Sequence, residues 1–530
     1  MATATSSPAA VTVLDDGPPP GVNKWAVAVA VALGALLEVV DTSIVNVALT
    51  NMQNAFGATL TQVSWVVSSY AVANVIILPL TAWLGFRFGK KRYFIWSLIG
   101  FTVASALCGL APNLPVLIAA RVLQGIMGGG LLAKAQAILF ETFPKSEQAA
   151  AQGFFGIIVI AGPTIGPTLG GYLTTNVSWR WIFYINLPLG IAAVLMCMAM
   201  LPDDKPGKVK TPVDWTALGM LAIGLGALQT VLEEGQSEQW FDSTFITVMV
   251  VAAILGLALF IHRELHSRAP IVDLRVLRYR SLWAGSILSV VVGMALYGAI
   301  FAVPIFAQTI LGYSAQQTGL LLLPSALCSA AMMPIASKLI GKFDPRVLLA
   351  SGMMIMIASM RWLGEMSPAT GEDNMFWPLI IRSVGTALMF LPLSMATLGP
   401  IPKKDISAAS GFYNLTRQLG GSIGVALLST LLERRQAFHR AVVVEKLSSS
   451  DPQVAARVAA YTQKFLGLGY TGPDATAHAH KLLDVGVSVQ ASVISFGDCF
   501  WAVSILIACS IPLVFLLGKP ARGVKVDAGH

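Results

Sequence analysis

Runs of about twenty apolar residues, separated by short polar or basic stretches, recur along almost the whole chain. Fourteen can be marked, near 25–48, 62–84, 93–112, 115–138, 150–173, 181–201, 215–232, 243–262, 282–306, 318–340, 347–363, 376–398, 406–430 and 494–517. A hydrocarbon core roughly 30 Å thick is crossed by about twenty helical residues, so each run predicts a membrane-spanning helix, spans 1 to 14. An even number of crossings puts both termini on one side. The segment 433–490 interrupts the pattern: it is polar, with amphipathic stretches near 436–447 and 453–467. It predicts a small, partly helical extracytoplasmic lobe.

Basic residues set the orientation. With the N-terminus inside, 22 Lys and Arg fall on cytoplasmic segments, while the short outer loops hold Arg180 alone. Those outer loops instead carry acids: Glu233, Glu234, Glu238, Asp242, Glu365, Glu372 and Asp373. Positive charge stays inside, so both ends are expected to be cytoplasmic. The expected organisation is a disordered tail 1–23, a six-helix bundle 24–201 and a linker 202–281 carrying an extra transmembrane hairpin. A second six-helix bundle, 282–518, includes the lobe 433–490, and a tail 519–530 follows. Two six-span halves around a central site are the architecture of a major facilitator transporter, an all-α polytopic membrane fold.

Composition narrows the classes. Of the 530 residues, 55% are hydrophobic and only 12% charged, and a soluble protein would carry about twice that charge fraction. Soluble enzymes, nucleic-acid-binding modules and disordered chains are excluded as whole-chain readings. The net charge of +8 follows from the basic inner loops and calls for no nucleic acid. The five cysteines all lie in apolar runs, without metal-ligand spacing, and read as small buried hydrophobes. The first residues lack the positive charge that opens a secretory signal.

Charges inside the bilayer are the informative ones. Only Glu38, Asp41 and Asp498 among the acids, and Arg121, Lys134, Arg361, Arg382 and Arg417 among the bases, fall within spans. Each costs roughly 2.5–3.5 kcal/mol at a span centre on insertion scales, which makes function the default explanation. Arg361 and Asp498 lie near outer ends and Lys134 near an inner end, where snorkelling is cheap. Glu38 and Asp41 are three apart and share a helix face, about 20 and 24 Å along span 1 from Trp25. Arg121 in span 4 lies at a depth similar to Asp41. Burial disfavours a charged carboxylate and a nearby arginine favours it. Such acids can therefore take up protons facing one side and release them facing the other, or form a static pair tying spans 1 and 4. Arg417 sits in the polar patch Tyr413-Asn414-Leu415-Thr416-Arg417-Gln418, suited to hold an anionic ligand group or to pair with a carboxylate.

Four motifs carry a family resemblance over residues 24–518. Span 1 reads Leu37-Glu38-Val39-Val40-Asp41-Thr42-Ser43-Ile44-Val45-Asn46-Val47-Ala48, and span 4 holds Arg121-Val122-Leu123-Gln124-Gly125. Span 5 carries Gly153, Gly162, Gly166, Pro167, Gly170 and Gly171 at the spacing G-x₈-G-x₃-G-P-x₂-G-G. Span 6 opens with Trp179-Arg180-Trp181-Ile182-Phe183-Tyr184-Ile185-Asn186-Leu187-Pro188. The chain resembles the 14-span drug:proton antiporters of the major facilitator superfamily, of the EmrB/QacA type. One motif departs: in the cytoplasmic gate loop, Arg87, Gly89, Lys90 and Lys91 remain, but Phe86 stands where the family has an aspartate. The surviving basic half reads equally well as inner-side anchoring.

The resemblance implies a proton-driven multidrug exporter using alternating access, with Glu38, Asp41 and Arg121 in proton coupling and no cofactor beyond the proton gradient. Trp65, Asn74, Tyr297, Phe301, Gln308, Tyr413, Asn414 and Arg417 are the candidates to contact substrate, by depth and by analogy. Drugs, protons and the inner-membrane bilayer are the implied partners. In a Gram-negative cell the lobe 433–490 would meet a periplasmic membrane-fusion adaptor and an outer-membrane channel. The alternatives are a dedicated exporter of one metabolite, siderophore or fatty acid, and, disfavoured by the buried acids, a non-transporting scaffold. Gly420-Gly421-Ser422-Ile423-Gly424 fits an esterase elbow in letters but lies mid-span. Gly85–Lys90 is one residue short of a phosphate-binding loop, and His478-Ala479-His480 reads as solvated loop rather than as a metal site.

Overall fold

The structure, a computed structural model, describes residues 23–203, 213–267, 270–367, 372–447 and 451–518. The expected tails, apart from Asn23, and residues 204–212 and 268–269 of the linker lie outside the described residues. Among the described residues, thirteen helices are long and apolar enough to cross a membrane. Spans 1 to 6 are Lys24–Val47, Leu60–Phe88, Lys90–Leu110, Leu114–Thr142, Gln148–Asn176 and Trp181–Met200. Spans 7 and 8 are Trp215–Glu234 and Thr244–His266. Spans 9 to 12 are Arg280–Thr309, Gln316–Ile340, Pro345–Leu363 and Asn374–Leu398, and span 14 lies in Gly472–Leu516. Span 13 belongs to the helix Ile406–Lys446, whose polar second half dilutes its mean hydropathy.

The segment 433–490 is largely helical and continuous with the spans on either side of it. The span 13 helix runs unbroken to Lys446, a helix Pro452–Gly467 follows, and the span 14 helix begins at Gly472, well before its apolar run. Hydropathy marks where a helix leaves hydrocarbon, not where it ends. Asp498 holds the two extensions together by accepting from His439 at 2.8 Å and from Arg435, so it does not merely snorkel. His478 packs on Phe465 and Tyr470, on a helix rather than a loop. All five cysteines are free; Cys108, Cys197 and Cys499 are buried, whereas Cys509 is exposed on span 14, contrary to the expectation of burial.

Both described chain ends lie on one face of the bundle. Lys24, opening span 1, pairs with Glu147 before span 5 at 2.6 Å, and Arg280, opening span 9, donates to the carbonyl of Leu516. On this terminal face the halves share a core. Phe155 and Val159 of span 5 join Met333 and Ala336 of span 10 and Leu388, Phe390 and Leu391 of span 12 in one buried cluster. Polar contacts stitch the same seam. Gln136 donates to Ser394 at 3.0 Å, Asn414 to Gln136 at 2.7 Å, and Ser410 to the carbonyl of Ala133 at 2.9 Å. Toward the opposite face the apolar cluster of the N-terminal half contains no residue of the other half. There Thr42 and Asn46, one and two turns beyond Glu38, are exposed. The halves are joined by apolar and polar contacts at the terminal face, and toward the other face spans 5 and 10 still meet where Gly319 packs on Thr168.

Span 5 lies against span 1 along its glycine face. A Cβ on Gly162, Gly166 or Gly170 would meet Val39, Ser43 or Ile44 at 2.5, 1.9 and 2.8 Å. Small residues let the two backbones approach, and Pro163 and Pro167 sit within the same helix. Gly153 faces the carbonyl of Met333 on span 10, and Gly171 is buried. Gly420 and Gly424 play the same part for span 13 against span 9, mid-helix, which disposes of an esterase elbow. The extra hairpin packs against both halves, at spans 2 and 13. Leu221 and Leu225 of span 7 pack with Val75 and Leu78 of span 2 and with Leu415 of span 13.

Overpacking a tight helix crossing typically costs about 1–3 kcal/mol. Gly166→Val should therefore lower the thermal midpoint of the purified protein, whereas Gly219→Val, at a site with nothing within 4 Å, should leave it unchanged. Equal melting of the two variants would mean that spans 1 and 5 are not in close contact.

Candidate functional site

The local sequence explains how the acids of span 1 are held. Span 4 is broken at Gly129-Gly130, with Gly130 at φ 76°, a left-handed backbone that glycine adopts without strain. A Cβ there would also strike Thr81 Cγ2 at 2.2 Å. The break starts a new helix, Leu131–Thr142, with its N-terminus toward span 1. The Leu132 amide donates to Glu38 Oε2 at 2.7 Å, and Asn74 donates to Glu38 Oε1 at 2.9 Å. Both oxygens of Glu38 are thus satisfied by neutral donors, and a helix N-terminus favours negative charge.

Asp41, one turn on, has a different environment. Arg121 Nη1 donates to Oδ2 at 2.6 Å, while Gln124 and Asn186 donate to Oδ1 at 2.9 and 3.0 Å. Arg121 is anchored in turn: its Nε donates to the carbonyl of Val66 at 2.9 Å and its guanidinium lies 4.2 Å from the Tyr70 ring centre. Asp41 is 0% and Arg121 1% exposed, so this ion pair is fully removed from solvent. Spans 1, 2, 4 and 6 converge on it. Gln124 belongs to the R-x-x-Q-G motif and Asn186 to the span 6 signature, so the signal for both was already present as polar residues inside matched motifs.

Lys134 is buried rather than snorkelling. It lies too deep to reach the surface and instead donates to Ser97 at 2.7 Å, with Tyr93 as a ring partner 4.0 Å away. Near the terminal face, Lys90 pairs with Glu141 at 2.7 Å, and Ser407 of span 13 donates to the same carboxylate at 3.3 Å. Phe86, replacing the gate-loop aspartate, is 55% exposed, and Arg87 lies 5.5 Å from the Trp83 ring. Lys91 pairs with Asp203 at 2.8 Å, and Gly89 at φ 89° makes the turn between spans 2 and 3. The carboxylate that links the two halves here is Glu141.

A cavity of about 200 Å³ opens between the halves. Glu38, Thr42, Tyr70, Asn74 and Arg121 line it from the N-terminal half, and Tyr297, Asn414, Arg417, Gln418 and Ser422 from the C-terminal half. Arg417 donates through Nη2 to Asn414 at 2.6 Å and lies 5.2 Å from the Phe390 ring; its Nη1 is buried without a partner. It pairs with no carboxylate among the described residues. Four other candidates do not line the cavity. Trp65 packs edge-on against Phe245 of span 8, Tyr413 is buried within the C-terminal core, Phe301 is half-buried elsewhere, and Gln308 is exposed. In helices apolar on every side, depth alone does not say which residue faces inward.

Two acids counted as outer-loop residues belong to the site region. Span 7 continues through Glu234. Glu234 is buried, accepting from Ser64 and Ser68 of span 2, and Glu233 lines the cavity together with Gln229. The spacing Gln229–Glu233, one turn apart just where the apolar run ends, was the available signal.

Two six-span halves with buried charge at a central cavity define a secondary transporter, and the chain belongs to the major facilitator superfamily, whose family model matches residues 31–425. It is a multi-pass membrane transporter, not an enzyme. Within the superfamily it is of the EmrB type. It is 32% identical over 502 residues to multidrug export protein EmrB of Escherichia coli (strain K12), covering 94% of this chain and 96% of that protein. The fatty acid resistance protein FarB of Neisseria gonorrhoeae is 32% identical, with 93% and 96% covered. The colistin resistance protein EmrB of Acinetobacter baumannii is 29% identical, with 94% and 97% covered. Two solved structures share the fold at low identity. The human organic anion transporter MFSD10 has a TM-score of 0.59 at 14% identity, with 94% of this chain and 100% of that chain covered. The proton:xylose symporter XylE has 0.58 at 13%, with 92% and 96% covered.

Removing one partner of a buried ion pair costs about 3–5 kcal/mol, because the other charge is left uncompensated. Asp41→Asn should therefore destabilise the protein strongly in thermal unfolding, and Asp41→Asn with Arg121→Gln should regain most of the loss. Additive destabilisation in the double variant would contradict a direct pairing.

Proposed function

We propose that the chain is a proton-coupled exporter of hydrophobic and amphipathic compounds, working by alternating access in the inner membrane with its terminal face cytoplasmic. The observation that carries this reading is the buried Asp41–Arg121 pair beside a cavity lined by both halves. A proton arriving from the side opposite the terminal face neutralises an acid of span 1. If it neutralises Asp41, Arg121 is left charged in a low-dielectric site, and that penalty favours any rearrangement that re-solvates it. The lever is then electrostatic: loading the proton destabilises this packing, and proton loss to the cytoplasm resets it. Glu38 is the second proton carrier, reached directly from the cavity that a drug would enter.

Supporting the drug reading are the names of the relatives, multidrug export and colistin resistance among them, and a cavity in which Tyr70, Tyr297 and aliphatic side chains alternate with polar anchors of both charges. The proton gradient is the energy source and no cofactor takes part. In a Gram-negative cell the paired extensions of the span 13 and span 14 helices would reach a periplasmic adaptor that continues to an outer-membrane channel. A second reading is favoured by one observation. The unpartnered Nη1 of Arg417 would hold a carboxylate, which suits a fatty acid exporter, and one relative is a fatty acid resistance protein.

Inverted membrane vesicles test the coupling: adding a transported drug should release protons from the acidified interior, and collapsing the gradient should stop uptake. Asp41→Asn should abolish both while the protein remains in the membrane. Drug uptake that persists without a gradient would refute coupling, and uptake of long-chain fatty acids to the exclusion of drugs would favour the second reading.

A further inference from the structure

The central cavity has a third wall. Besides the two six-span halves, span 7 of the extra hairpin contributes Gln229 and Glu233 to its lining. Glu233 differs from the other carboxylates there. Asp41 is consumed by Arg121, Gln124 and Asn186, and both oxygens of Glu38 accept hydrogen bonds. In Glu233, Oε1 takes both donors, Gln229 Nε2 at 2.7 Å and Ser422 Oγ at 3.1 Å, and Oε2 has no partner among the described residues. No basic side chain forms an ion pair with Glu233 among the described residues. The cavity's positive groups, Arg121 and Arg417, are bound to Asp41 and to Asn414.

Its position is fixed from both sides. The neighbouring Glu234 is locked to span 2 by Ser64 and Ser68. Across the cavity rim, Gln229 donates to Ser422 of span 13 at 2.7 Å, and beyond it Trp240 donates to Thr430 at 3.0 Å. A carboxylate whose one oxygen is held and whose other is free, in a partly desolvated cavity that also presents apolar and aromatic side chains, is a site for a ligand cation or a strong hydrogen-bond donor.

We infer that the extra hairpin is part of the substrate site, and that Glu233 is a specificity-determining residue that recognises the positively charged group of a hydrophobic cation. This deepens the export reading and rests on it. Arg417, on span 13, then serves the opposite charge, so that one cavity accommodates amphipathic ligands of either sign at separate anchors.

The probes are tetraphenylphosphonium and tetraphenylborate, which place opposite charges on nearly the same four-ring body. Binding is measured on the purified full-length protein in lipid nanodiscs. Glu233→Gln should weaken tetraphenylphosphonium about tenfold or more, the scale of one lost charge contact, and leave tetraphenylborate no weaker than in the unaltered protein. Glu233→Asp, which keeps the charge, should recover most of the cation affinity. The inference is overturned if the unaltered protein does not bind the cation, if Glu233→Gln leaves its affinity unchanged, or if both ions weaken alike. Vesicle uptake of the same cation separates the two levels: binding that depends on Glu233 without any uptake would overturn the export reading and leave the site intact.

Discussion

An ion pair taken wholly out of water organises the N-terminal half. Asp41 and Arg121 are 0% and 1% exposed, and in hydrocarbon neither charge could persist without the other. Their remaining valences recruit the neighbours: Gln124 and Asn186 complete the carboxylate, and the carbonyl of Val66 and the face of Tyr70 complete the guanidinium. Four spans are thereby held at one point. Burial of this kind is weak evidence for stability, since an apolar substitute of the same shape often does as well. Its persistence here points to a state in which the pair is not made.

The second half is built on a different principle. Spans 9 and 13 approach through Gly293, Gly420 and Gly424, backbone against backbone, and the half brings no carboxylate of its own to the cavity lining. Its charge at the cavity is Arg417, supported by Asn414 and Phe390. The cavity is therefore chemically asymmetric, acidic on the side of span 1 and basic on the side of span 13. Two architecturally similar bundles have divided the polar work.

The sequence made the span 1 acids and their arginine legible because charges in apolar runs are rare enough that each demands a reason. It also exposed the tight span 1–span 5 crossing, through glycines at helical spacing. It was less informative at the edges of the hydrophobic pattern. Glu233 and Glu234 looked like loop residues because the apolar run stops at Leu232, yet the helix continues through Glu234 and carries them inward. For 433–490 the amphipathic stretches showed helix, but the fall in hydropathy concealed that the span 13 and span 14 helices run on into it unbroken. Trp65, Phe301 and Gln308 lie outside the cavity lining for another reason: in helices apolar all round, the inward face is set by neighbours, and Trp65 packs on Phe245 of the hairpin beside span 2. Gly130 shows a third gap. Its role, opening span 4 so that a main-chain amide reaches Glu38, leaves no trace in side-chain chemistry.

The hairpin constrains how the halves can move. It is bound to span 2 through the buried carboxylate of Glu234 and through apolar packing with Val75 and Leu78, and to span 13 through Leu415 at the edge of the same cluster and through hydrogen bonds from Gln229 to Ser422, from Ser422 to Glu233 and from Trp240 to Thr430. Rocking of one half against the other cannot preserve both sets. Separating Glu234 from its serines would strand a buried charge, at several kcal/mol, whereas each polar contact to span 13 is a single partly buried hydrogen bond worth about 1 kcal/mol net. The weaker set yields first. In the proposed exporter the hairpin would therefore travel with the N-terminal half, and the Glu233–Ser422 contact, which holds one oxygen of the carboxylate in place, would be among those broken when the cavity changes sides. An anchor assembled from both halves in one state and from one half in the other binds its ligand unequally in the two, as export requires.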